Sequence, residues 1–90
     1  MNPIRYLQSE AQNENGQSCL GAADLWEEKS SSVLSHGCFF PSLWSPETKE
    51  ILDGATKLTL ADGRRFIMAD VERREGEGRG GYYNFQFQPE

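Results

Sequence analysis

The stretch that decides the fold runs from Thr56 to Gln88. It reads Thr-Lys-Leu-Thr-Leu (56–60), Ala-Asp-Gly-Arg (61–64), Arg-Phe-Ile-Met-Ala-Asp-Val (65–71), a glycine-rich run, and Tyr-Tyr-Asn-Phe-Gln-Phe-Gln (82–88). Side chains alternate apolar and polar on both sides of Asp62-Gly63, the strongest short-range signature of a β-hairpin. The last segment alternates most cleanly: Tyr83, Phe85 and Phe87 share one face, and Tyr82, Asn84, Gln86 and Gln88 the other. Together the three segments predict an antiparallel three-strand meander.

The Asp62-Gly63 turn can close in two registers. A two-residue type I′ turn pairs Leu58 with Ile67, whereas a three-residue loop with Gly63 in the left-handed conformation pairs Leu60 with Arg64 and Leu58 with Phe66. The second is favoured, because Asp suits the third position of a type I turn and Gly supplies the positive φ that follows. It gathers Leu58, Leu60, Phe66 and Met68 on one face and leaves Ile67, Ala69 and Val71 on the other.

Outward from this region the signals weaken. Ser45-Pro46-Glu47 opens a helix with a serine cap, a first-turn proline and an acid at the positive dipole end, and Gly54 would close it. The rival for 48–52 is a strand with Asp53-Gly54 as its turn. Val33–Phe40 reads as a strand in which Gly37 marks a bulge or a close approach. Leu20, Ala23 and Trp26 fall at helical spacing, which predicts a short helix near 20–29 ended by Ser30-Ser31-Ser32. Residues 1–18 are mostly polar and read as an irregular, mobile segment with a short edge strand at Ile4 and Tyr6. Glu75–Gly81 reads as an exposed, mobile loop. The expected architecture is α+β: residues 19–90 as one small domain, a curled antiparallel sheet of four or five short strands with one short helix.

Ninety residues carry a net charge of −5, and the acidity is confined to the first 55. There Glu10, Glu14, Asp24, Glu27, Glu28, Glu47, Glu50 and Asp53 face only Arg5, Lys29 and Lys49; from residue 56 onward the charges balance. Such a surface argues against long-range attraction to nucleic acid or anionic membrane. The first residues lack a signal-peptide core, and no stretch could span a bilayer. Two cysteines, Cys19 and Cys38, are too few for a disulfide scaffold, so a cytoplasmic setting is expected, with a Cys19–Cys38 bridge still geometrically open.

Three constellations carry chemistry. Arg65, Arg73 and Arg74 with Phe66 and Tyr82 resemble a base-stacking sheet face, beside one Arg79-Gly80-Gly81. Against that, Asp62, Asp70, Glu72, Glu75 and Glu77 match Arg64, Arg65, Arg73, Arg74 and Arg79 charge for charge. His36 and Cys38 share a strand face, but no zinc spacing accompanies them and nothing supplies an oxyanion hole. The carboxylate pairs lie in polar runs rather than in the apolar pockets that acid–base catalysis requires. What remains is a surface: Trp26 with Asp24, Glu27, Glu28, Glu47 and Glu50, an aromatic anchor ringed by charge. The expectation is a non-catalytic acidic module without cofactor or metal. It acts through protein–protein contact, with a basic partner or a second copy paired along a free edge at 33–40 or 82–88. Single-stranded nucleic-acid binding is the alternative.

Overall fold

The computed structural model describes residues 2–27, 35–75 and 81–90. Within them lie the strands β1 (Ile4–Asn13), β2 (Ser18–Trp26), β3 (Ser35–Pro41), β4 (Ala55–Leu60), β5 (Arg65–Glu75) and β6 (Gly81–Pro89), and one helix, α1 (Pro46–Asp53). The strands form a closed antiparallel barrel in the order β1-β2-β3-β6-β5-β4, with β4 pairing back onto β1. Two three-strand meanders joined by α1 thus meet at two seams, first strand against first strand and last against last. This overturns the expected α+β sheet: the C-terminal meander exists, but as half of a barrel.

The meander itself has the expected register. Leu58 lies opposite Phe66, the Leu60 N–H donates to the Arg64 carbonyl at 2.9 Å, and Gly63 takes a φ of 92°. The Asp62 carboxylate accepts the Arg64 N–H at 3.0 Å, which fixes the turn and holds that carboxyl below its ordinary pKa. Leu58, Leu60, Phe66 and Met68 are all buried. The opposite face is resolved by a bulge. Ala69 pairs with Gln86 and Glu72 with Asn84, so Asp70 and Val71 together face one partner. Asp70 takes the positive φ of 51°, and Val71 turns in to pack against the core, leaving Ile67 outside.

The helix expected near 20–29 is instead strand β2, its last residues lying outside the described ones. The true inward set is Cys19, Gly21, Ala23 and Leu25, at period two. The irregular segment expected over 8–18 contains most of β1, whose Ser9 and Ala11 point inward. Both errors have one cause, the narrow interior. Tyr83, Phe85, Phe87 and Phe39 fill it from β6 and β3, so β1 and β2 must offer small residues there. A Cβ at Gly21 would lie 2.7 Å from the Phe39 ring, and one at Gly37 2.7 Å from the Phe85 ring. Gly37 keeps regular pairing to both neighbours, so it marks a close approach and not a bulge.

Helix α1 resolves the 46–53 alternative. The Ser45 hydroxyl accepts the Thr48 N–H at 3.0 Å, Pro46 occupies the first turn, and the Gly54 N–H bonds to the Ile51 carbonyl. Ile51 and Leu52 bury against one barrel end. Trp44 stacks on Tyr83 with centroids 6.0 Å apart, and the Tyr83 hydroxyl donates to Asp53 at 3.0 Å. Burial and that carboxylate push the Tyr83 pKa up to about 12.

The expected free edges do not exist: β3 lies between β2 and β6, and β6 between β3 and β5. Both cysteines are free. Cys19 faces inward opposite Ala11, whereas Cys38 faces outward opposite Asp24, five residues farther along β2. At about 3.3 Å per residue that separation is far beyond disulfide reach. Residues 28–34 and 76–80, including the expected Ser30–Ser32 connector, Arg79 and most of the glycine-rich loop, lie outside the described residues.

Candidate interaction surface on the barrel wall

Strand register brings parts of all three sequence constellations onto one outer wall. Trp26 lies opposite His36, Asp24 opposite Cys38, and Ala22 opposite Phe40. On the next strands His36 meets Gln86, Cys38 meets Asn84, and Tyr82 meets Arg74. Since side chains alternate between faces, this whole set points away from the core. Two ring pairs result: Trp26 with His36 at 5.2 Å between centroids, and Phe40 with Tyr82 at 5.6 Å. His36 is exposed, and the other three rings are half-buried. Leu20, 64% exposed, extends the apolar surface along β2.

Charges on this wall are paired. Arg5 holds Asp24 through two hydrogen bonds of 2.7 and 2.9 Å and lies over the Phe40 ring at 5.5 Å. Arg74 donates to Glu72 at 2.9 Å. Asp24 is buried although its partner is exposed, so the pair anchors Arg5 over the Phe40 ring. The wall therefore carries two ring pairs separated by the polar row Asp24–Cys38–Asn84, with its charges neutralised.

Comparison with protein-family models, curated proteins and solved structures finds no match.

The other candidates are dispersed. Glu47 and Glu50 are exposed on α1, at the barrel end. Glu27 lies 3.7 Å from Arg64, and Glu28 falls outside the described residues. Of the arginine set, Arg65 is held by Glu90 at 2.9 Å on another part of the wall. Phe66 points into the core, only 7% exposed and edge-on to Phe87, so no base could stack on it. Arg73 is exposed and sits opposite Tyr83, one residue out of phase with the wall.

The thiol of Cys38 donates to the Asn84 side-chain oxygen Oδ1 at 3.0 Å, and burial, aided by Asp24, raises its pKa. A thiol held protonated is the reverse of an activated nucleophile. Cys19 is raised further, to about 11, by burial and Glu10. Among the described residues no cluster of His, Cys, Asp and Glu could hold a metal ion. None of their helices is long and apolar enough to cross a membrane.

Sequence reasoning missed Phe40, Arg5 and Leu20 as members of the wall. One signal was present: in Phe39-Phe40 on a strand, one ring must face away from the core.

Proposed function

We propose that the protein is a non-catalytic interaction module of the cytoplasm whose partner protein docks on the outer wall of β2, β3 and β6. The observation that carries this reading is the two ring pairs, Trp26–His36 and Phe40–Tyr82, on one outer wall with the row Asp24–Cys38–Asn84 between them. Aromatic side chains with a polar rim are the usual anchors of protein interfaces, because they bury large area at small entropic cost. Arg5 and Arg74, each held by an acid, supply the rim. The two free thiols suit a reducing compartment. Docking uses side chains, since neither β3 nor β6 offers a free edge for a partner strand.

The test is affinity capture from host extract with the wild-type chain and with a Trp26→Ala, Tyr82→Ala variant whose thermal melt shows it folded. Proteins retained by the first and lost by the second support the reading. Equal retention by both refutes it. Retention abolished by nuclease treatment would transfer the wall to nucleic acid.

A further inference from the structure

Two open grooves flank the β5 bulge and share Asp70 and Val71 as a common wall. One, of about 620 Å³, lies on the ring-bearing wall beside His36, Glu72, Arg74 and Gln86. The other, of about 570 Å³, continues past Asp70 between the β1–β2 turn and the end of α1, where Glu14, Glu50 and Asp53 line it. Because the bulge belongs to both, the two form one track that starts at the Trp26–His36 rings.

Charge along this track is one-sided. No Lys or Arg lines the second groove. Among the described residues, Glu14, Glu50, Asp53 and Asp70 have no ion-pair partner, while Arg5, Lys57, Arg64, Arg65 and Arg74 pair with other acids. In the first groove the single cation, Arg74, is neutralised by Glu72. The ring face of Trp26 at the other end also favours a cation.

Resting on the ring-wall reading above, we infer that the partner's docking segment is an extended chain bearing Lys or Arg. It leaves the rings at His36, crosses the bulge at Asp70 and lays its basic side chains against Glu50 and Glu14. Complementary charge speeds encounter and fixes the direction of the segment.

The probe is fluorescent octalysine, with octaglutamate for comparison, titrated into wild-type protein and into Glu14→Lys, Glu50→Lys. A second reversal with the same net-charge change but off the track, Glu10→Lys, Glu47→Lys, is the control. On-track reversal should weaken octalysine binding about tenfold and the control less than about threefold. In ¹⁵N-labelled wild-type protein, amide resonances of His36, Asp70 and Glu50 should shift together along the titration. Equal weakening by both reversals, or shifts that omit His36 and Asp70, overturns the track. If the track fails while capture still depends on Trp26 and Tyr82, the ring wall stands alone. Capture indifferent to those two residues removes the ring wall and the track with it.

Discussion

A single methyl group at Gly37 tests the account of the barrel interior. A Cβ there would lie 2.7 and 2.8 Å from Cζ and Cε2 of Phe85 and 2.9 Å from Cδ2 of Leu25. Apolar carbons prefer separations of about 3.5–4.0 Å. Phe85 and Leu25 are each 1% exposed, so neither can move outward without displacing other core atoms. Overpacking of this kind costs roughly 1–3 kcal/mol. The φ of Gly37 is not in the left-handed region, so alanine also removes unfolded-state entropy, a gain of about 0.4–1 kcal/mol. The expected net loss for Gly37→Ala is about 1–2 kcal/mol, which for a domain of this size lowers Tm by about 5–15 °C. Urea denaturation measures it in the wild-type background and again with Phe85→Leu, which removes the ring atoms in conflict. In that background the cost should fall below about 0.5 kcal/mol, giving a measurable coupling. Gly54→Ala, whose nearest new contact is 4.0 Å from Asn13, serves as a neutral control. Equal cost in both backgrounds, or stabilisation by Gly37→Ala, would refute the packing argument.

Three further outcomes follow from particular contacts. The Tyr83 pKa stands at about 12 against an ordinary 10.0, so the stability it contributes is complete below about pH 10 and is lost as pH rises toward 12. Tyr83→Phe should cost about 1 kcal/mol at neutral pH and flatten that alkaline decline; parallel declines in denaturation series would count against it. Raised to about 11 from 9.0, Cys19 should react with a disulfide reagent at pH 8 about a hundredfold more slowly than in denaturant, with Cys38 also slowed. Free-thiol rates in the native protein would contradict both burials. Gly63→Ala meets no atom within 4 Å but must hold a φ of 92°, so it should lose about 1 kcal/mol from backbone strain alone, read from the shift in urea midpoint.

What could be read without coordinates was whatever the sequence writes in large alternating side chains. Tyr83, Phe85 and Phe87 announce a strand and its buried face, Asp62-Gly63 announces both turn and register, and Ser45-Pro46 announces a helix start. What could not be read was written in small residues. Ala11, Gly21 and Ala23 are inward positions because they leave room for Phe39 and its neighbours, and a hydrophobicity pattern has no means of registering an absence. Leu20, Ala23 and Trp26 then mimic a helical stripe, though Ala23 points inward while Leu20 and Trp26 lie on the outer wall. The same blindness hid the functional surface. Trp26, Cys38, Tyr82 and Arg74 belong to three unrelated sequence clusters, and only pairing β3 with β6 places them side by side. That pairing spans almost fifty residues and depends on no local signal.

The two seams also dictate when this chain can be whole. β1 waits for β4, and β3 waits for β6, the last of the six strands in chain order. Until β6 is made, β3 and β5 each keep an unpaired rim, and the interior lacks Tyr83, Phe85 and Phe87. A stop before Gly81 would leave β3 and β5 as lasting raw borders, open to strangers. Such products should be found in aggregates or in proteases, and never as smaller versions of the same vessel.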